Sequence, residues 1–254
     1  MLEKLKQSAV DWLLSPRVRY SVAAMNHRAL HQHLHGEDVL EKALLLKCVN
    51  GVRGDFLEFG VFEGRSLMHS YFYVRYLTHL IETGTVPILA GVSTEPLRAM
   101  RFVGFDSFEG LPEPTQSDTL EGQEEWLGAG SFACSEERFW SNLARNKVEL
   151  ERFVAVPGWY EQSLSEATLK EQGISAVAVV HIDCDYYEST VLALDFVTDL
   201  LVDGSILVFD DWFLYRGRAD KGEQRAFSEW RERNPQLRVT ELHRSTTVSF
   251  QVHL

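Results

Sequence analysis

The sequence predicts a doubly wound α/β domain: a mostly parallel, Rossmann-like sheet with an N-terminal helical extension and a C-terminal antiparallel hairpin. Three observations predict it. From residue 55 onward, short apolar runs of strand length alternate with amphipathic stretches of helix length. Glycines and acids gather just past the ends of the apolar runs, where open α/β sheets place their ligands. The last segment alternates apolar and polar residues, as a half-exposed strand does.

The elements follow in order. Residues 2–50 read as helical, with Leu5, Val10, Trp12, Leu13 and Leu14 on one apolar face and Val39, Leu40, Ala43, Leu44 and Leu46 on another. Between them lie His27, His31, His33 and His35. His27 and His31 have the i, i+4 spacing of a helical metal site, but no acidic or Cys ligand is interleaved, so the cluster reads as a polar helix face. Residues 1–50 thus form an extension and 51–254 the main domain. Strands are expected at 56–60, 102–106, 153–157, 176–182 and 205–210. Helices are expected at 64–82, 135–147, 161–171, 187–201 and 222–233, and a closing hairpin at 237–241 and 246–252. Residues 107–134 show no period and are rich in Gly, Pro and acids. A loop this long in a compact domain is usually functional, and it reads as a lid or substrate loop anchored by Trp126 and Phe132.

Composition narrows the function. The net charge is −12, without a Lys/Arg cluster to replace phosphate counterions, which argues against nucleic acid and anionic membranes as partners. Cys48, Cys134 and Cys184 are far apart and fit neither a disulfide framework nor a zinc cluster, so a reducing cytoplasm is the expected location. No apolar run has the length of a membrane span, and residues 1–15 lack the apolar core of a signal peptide.

Three constellations carry chemistry. The first runs from Glu58 to Ser66, at the end of the first strand. Gly60 permits a tight turn and Gly64 opens a helix whose free N–H groups favour a carboxylate or phosphate. A dinucleotide fold wants glycine where bulky Phe62 stands, so the loop suits a cofactor with one carboxylate and a cationic amine, favoured by Glu58 or Glu63. The second is Gly104-Phe105-Asp106-Ser107, where the acid can accept hydrogen bonds from a ribose diol or serve only as a turn former. The third pairs His181-Ile182-Asp183-Cys184-Asp185 with Phe209-Asp210-Asp211-Trp212. If their strands are neighbours, four carboxylates converge at one sheet edge, a donor set for Mg²⁺, Mn²⁺ or Ca²⁺ rather than zinc.

Together these segments resemble the macrocin O-methyltransferase family, metal-dependent enzymes that methylate sugar hydroxyls of natural products. The matching stretches are FLEFGVFEGRS (56–66), GFDSFEGLPEP (104–114), PGWYEQSL (157–164), HIDCDYYEST (181–190) and ILVFDDW (206–212). The resemblance implies S-adenosylmethionine as donor and Mg²⁺ or another divalent cation as the metal. By position it places Glu58, Gly60, Gly64 and Ser66 around the methionine part of the cofactor, Asp106 on the ribose and Ser107 near the adenine. Glu63 and Trp159 join them in the cofactor site. Asp183, Asp210 and Asp211 become metal ligands and Asp185 the candidate base, with Asp183 and Asp185 the residues closest to the chemistry. The partner implied is a small hydroxylated acceptor, a glycosylated natural product, and the enzyme is expected to be a homo-oligomer.

Two departures bear on the acceptor. Cys184 stands where the family more often has a small residue, and residues 213–224 differ from the macrolide enzymes. Tyr186, Tyr187 and Trp212 are candidates to line the acceptor pocket, or else core aromatics. Two competing readings, a nicotinamide-dependent oxidoreductase and a non-catalytic Rossmann-like binding protein, meet Phe62 and the four carboxylates as objections.

Overall fold

The computed structural model describes residues 37–119 and 127–254. Residues 1–36, with His27 to His35, and Trp126 lie outside the described residues. In chain order the elements are α1 (Glu37–Val49), β1 (Asp55–Phe59), α2 (Arg65–Glu82), α3 (Glu95–Arg98), β2 (Phe102–Asp106), α4 (Glu136–Arg145) and β3 (Phe153–Pro157). Then come α5 (Tyr160–Ser163), α6 (Glu166–Gln172), β4 (Val177–Ile182), α7 (Tyr187–Val197), β5 (Leu201–Phe209), α8 (Gly222–Arg233), β6 (Arg238–Arg244) and β7 (Val248–His253).

The seven strands form one sheet in the order β3-β2-β1-β4-β5-β7-β6. The first five are parallel; β7 runs antiparallel between β5 and β6. The expected alternation of strands and helices and the C-terminal hairpin are both present. Parallel strands with helices on both faces need apolar residues on both faces, and β4 (VAVVHI) is buried along its whole length. One core layer joins Leu40, Leu44, Tyr71 and Phe139 of α1, α2 and α4 to Phe56, Phe102 and Val179 of the sheet. The opposite layer joins Leu194, Val197, Phe227 and Trp230 of α7 and α8 to Leu57, Val180 and Phe209. Each such buried side chain contributes roughly 1.5–3 kcal/mol, so the two layers clamp the sheet from both sides.

Two boundaries differ from expectation. The helix expected at 161–171 is split into α5 and α6, because the Ser165 hydroxyl accepts the Thr168 N–H and starts a new helix there. The strand expected from residue 205 begins at Leu201, which pairs with Val177 before an irregularity in register; the Ser205 hydroxyl bridges it by donating to the Val177 carbonyl at 2.6 Å.

Candidate active site

Strand register assembles the site. Beyond the ends of β1, β4 and β5 the ladder continues: Gly60 N–H donates to the Phe105 carbonyl, Asp183 N–H to Phe59 and Asp210 N–H to Ile182, at 2.9, 2.9 and 3.0 Å. Gly60, Asp183 and Asp210 therefore stand in step along one sheet edge. Gly60 has φ +85°, and a Cβ there would lie 1.9 Å from the Asp183 carbonyl oxygen. Close approach of the neighbouring strand requires this glycine, whatever ligand the loop meets.

The glycine loop is tied by side chains on every side. Asp106 Oδ2 accepts N–H bonds from Val61 and Phe62 at 2.8 and 3.0 Å, and its Oδ1 accepts from Phe108 at 2.7 Å. Three of about four carboxylate lone-pair positions are thus filled by backbone, leaving about one for a ribose hydroxyl. Glu58 is fully buried; its Oε1 accepts the Ser66 hydroxyl at 2.6 Å and its Oε2 faces His181 Nδ1 at 3.3 Å. Burial works against the His181 imidazolium, but Glu58, Asp183 and Asp211 together outweigh it and raise the His181 pKa. Glu63 pairs with Arg138 of α4. At Gly64, φ is +78° and a Cβ would press on Phe139 and Leu143 at 2.8 and 2.9 Å, so packing against α4 also demands glycine.

Across the sheet edge lie the acids. One oxygen each from Asp183, Asp210 and Asp211 gather within 4.8 Å of one another. Burial, then mutual repulsion, holds the carboxyl groups of Asp183, Asp185 and Asp210 well above the usual carboxylate range, and burial pushes Asp211 up to about 6. Asp210 Oδ1 is buried with no hydrogen-bond partner among the described residues. Asp185 is held in a left-handed backbone conformation, φ +60°, that costs an L-residue roughly 1–2 kcal/mol. Both of its backbone groups are tied: its N–H donates to Asp211 Oδ2 at 3.1 Å, and its carbonyl accepts the Tyr215 hydroxyl at 3.2 Å.

The two halves face one cavity of about 670 Å³. Gly60, Glu63, Ser66, Asp106, Ser107 and Trp159 line its glycine-loop side, and Asp183, Asp185, Asp210 and Asp211 its acid side. Glu58 and Gly64 stand behind the lining and support it. Leu111 and Ser131 close the described part of the 107–134 loop by backbone bonds, Leu111 N–H to the Ser131 carbonyl and Gly130 N–H to the Leu111 carbonyl. Asp118 fastens the loop to α7, its Oδ1 accepting the Tyr187 N–H at 2.7 Å. At the rim, the exposed rings of Phe62 and Phe132 meet edge-on with centroids 6.2 Å apart.

Tyr186, Tyr187 and Trp212 do not line this cavity; of the two roles the sequence left open, the structure favours packing and anchoring. Trp212 packs in an aromatic cluster with Phe209, Phe227 and Phe250. Tyr186 donates its hydroxyl to the Leu127 carbonyl, anchoring the loop, and Tyr187 donates to Glu229 at 2.5 Å. Sequence reasoning missed Tyr215 and Glu223. Glu223 shares the buried face of α8 with Ala226, Phe227 and Trp230, at i, i+3, i+4 and i+7. An acid on the apolar stripe of an amphipathic helix was the signal available.

The family model described as Macrocin-O-methyltransferase (TylF) matches residues 83–238, from just after α2 to the start of β6. The chain belongs to the macrocin O-methyltransferase family. The family match takes in Asp106, both acid runs and α8, and leaves the glycine loop outside. A relative from Streptomyces olivaceus, 8-demethyl-8-(2,3-dimethoxy-alpha-L-rhamnosyl)-tetracenomycin-C 4'-O-methyltransferase, is 28% identical over 192 residues. That match covers 71% of this chain and 65% of the relative, so the chain spans just under two thirds of the relative's length. Among solved structures, the O-methyltransferase NovP superposes with a TM-score of 0.64 at 21% identity, over 86% of this chain and 79% of NovP. The calicheamicin methyltransferase CalS11 gives 0.59 at 20% identity, over 98% and 91%. These two share the Rossmann-like fold of this family member. Among the described residues, no helix is long and apolar enough to cross a membrane.

Proposed function

We propose that this protein is an S-adenosylmethionine-dependent O-methyltransferase that acts, with a divalent cation such as Mg²⁺, on a sugar hydroxyl of a glycosylated natural product. The carrying observation is the convergence of the half-buried Asp183, Asp210 and Asp211 at the strand ends, with Asp210 Oδ1 left without a hydrogen-bond partner among the described residues. Three half-buried carboxylates crowded together are costly even with His181 and Arg65 nearby, and an all-oxygen donor set fits a hard divalent cation. The family and the Streptomyces olivaceus relative, named for methylating a rhamnosyl-bearing compound, support the reaction and the acceptor class.

When bound, S-adenosylmethionine supplies an electrophilic methyl group, and the cation lowers the pKa of an acceptor hydroxyl. The chain's own residues do the rest. Gly60, Ser66 and Glu63 border the space for the methionine part, and Ser107 and Trp159 the space for the adenosine. Asp106 fixes the loop conformation through Val61 and Phe62 and offers its remaining lone pair to a ribose hydroxyl. Asp185 accepts the acceptor's proton, its backbone pinned by Asp211 and Tyr215 so that little reorganisation is needed. Phe62 and Phe132 cover the rim and limit entry of water. The free, buried Cys48, Cys134 and Cys184 suit a reducing cytoplasm.

The test is transfer of labelled methyl from S-adenosylmethionine to a panel of glycosylated natural products and catechols, with Mg²⁺ and with EDTA. Methylation of a sugar hydroxyl that EDTA abolishes and Mg²⁺ restores is the expected result. Labelling that is equally strong in EDTA overturns the cation's role.

A further inference from the structure

Glu223 is a buried acid close to the aspartate cluster that neither the mechanism nor the ligand set uses. It is 1% exposed, on the first turn of α8. Neither of its carboxylate oxygens has a hydrogen-bond partner among the described residues. Its charge is opposed by Asp211, Asp210, Asp183 and Asp185, so it belongs to the same field as the acid cluster. A buried carboxylate with no partner carries the full desolvation penalty of the group.

The fold nevertheless holds it there on both sides. Gly222 has φ +51°, and a Cβ at that position would lie 2.5 Å from the Tyr215 ring, so α8 is entered directly against Tyr215. The same Tyr215 bonds the Asp185 carbonyl. On the other flank, Gln224 Nε2 donates to the Trp212 carbonyl at 2.6 Å, next to Asp211. The first turn of α8 is thus bolted to the two acid-bearing turns, with Glu223 between the bolts. A helix N-terminus favours an anion at this position, whereas four aspartates oppose one. A cation among those aspartates reconciles the two while leaving the carboxylate its charge.

We infer that Glu223 is an outer-sphere anion of the divalent-cation site, contributing charge and accepting hydrogen bonds from the cation's water shell rather than coordinating it directly. Glu223 stands outside the group of three whose oxygens lie within 4.8 Å of one another, which is why its contact runs through water. The inference rests on the cation reading proposed above. It adds a fourth acid to the three expected ligands, carried on α8 instead of on a strand end.

The experiment uses Mn²⁺ alone as probe on the full chain stripped with EDTA. Calorimetry of Mn²⁺ and of S-adenosylhomocysteine, and melting temperatures with and without Mn²⁺, are compared for wild type, Glu223→Gln and Glu223→Met. Both variants are expected to weaken Mn²⁺ by about tenfold, within the range for partners outside the coordination shell, while S-adenosylhomocysteine affinity stays unchanged. Both are also expected to melt higher than wild type without metal, because a repelled buried charge is gone, and to gain less on adding Mn²⁺. A residue that merely fills space would not produce these opposite shifts. If wild type binds Mn²⁺ and both variants bind it equally well, Glu223 has no part in the site and the cation reading stands. If wild type takes up no Mn²⁺, both fall together. Should Glu223→Gln not fold, Glu223→Met, apolar and of similar length, decides alone.

Discussion

The two sides of the cavity are built on opposite principles. On the glycine-loop side the polar groups find partners inside the chain: Asp106 receives three backbone N–H groups, Ser66 bonds Glu58, and Glu63 pairs with Arg138. On the acid side, Asp210 Oδ1 and both oxygens of Glu223 have no partner among the described residues, and four aspartyl groups are pushed up in pKa. The first side is nearly complete without a ligand; its Glu58 Oε2 makes no hydrogen bond among the described residues but faces His181 Nδ1 at 3.3 Å. The second is poised for a positive charge, and stays under repulsive strain until one arrives. The comparison predicts that mutations will change sign from one side to the other.

The largest effect falls where the sides touch. Gly60→Ala drives a methyl group into the Asp183 carbonyl at a positive φ, and more than about 4 kcal/mol of stability should be lost. Denaturant unfolding checks this, and a well-folded variant with cofactor bound would show that the strands separate easily. Next, Asp106→Ala removes three charge-assisted bonds from the completed side and should cost about 3–5 kcal/mol with or without Mg²⁺. Asp210→Asn on the opposite side should leave metal-free stability unchanged or higher, and lose the gain that Mg²⁺ gives wild type. Equal destabilisation by both substitutions would erase the contrast between the sides.

Acidity sharpens the same contrast. The Asp211 carboxyl titrates near 6 in the folded chain against an ordinary 3.8, so between these values the folded state holds the proton more tightly than the unfolded one. Its contribution is full below pH 4 and is lost as pH rises through 6, on the order of 3 kcal/mol in EDTA. Saturating Mg²⁺ should reverse the trend, because the cation binds the deprotonated ligands. Unfolding free energies at pH 4 to 7.5, with EDTA and with Mg²⁺, test both arms; parallel curves contradict the account.

The smallest structural effect belongs to Tyr215→Phe. It removes one hydroxyl bond to the Asp185 carbonyl, worth about 1 kcal/mol of stability. Turnover on an acceptor found in the methylation screen should fall by roughly tenfold, about 1.4 kcal/mol in the barrier, with S-adenosylhomocysteine affinity unchanged. In an Asp185→Asn background the same change should have no further effect on turnover, since Tyr215 acts through Asp185. Additive losses would place Tyr215 elsewhere in the mechanism.

Much of this was legible in the sequence because parallel sheets write themselves in continuous apolar runs. Each of β1 to β5 overlaps a predicted strand, and the acid runs at 183–185 and 210–211 became neighbours through β4–β5 pairing. Residue roles were less legible. Gly60 and Gly64 read as ligand-binding glycines, whereas their positions are also demanded by the Asp183 carbonyl and by Phe139, contacts distant in sequence. Asp106 reads as a ribose acceptor, but the three amides that fill most of its lone pairs come from two separate turns. Trp212 follows an acid pair at a strand end and suggests a pocket wall; the antiparallel hairpin supplies Phe250 to bury it instead. Glu223 was hidden by its distance from any motif, though its place on the apolar stripe of α8 marks it once the helix phase is drawn.

The central claim is that the acid side holds one divalent cation. Crystals soaked in Mn²⁺ test it most directly through anomalous scattering from the metal. The account predicts one peak per chain bounded by Asp183, Asp210 and Asp211, at oxygen distances of about 2.0–2.6 Å, and no such peak in Asp210→Asn at the same Mn²⁺ concentration. An absence of any peak in wild type, with the carboxylates of Asp183, Asp185, Asp210 and Asp211 unmoved, would contradict it.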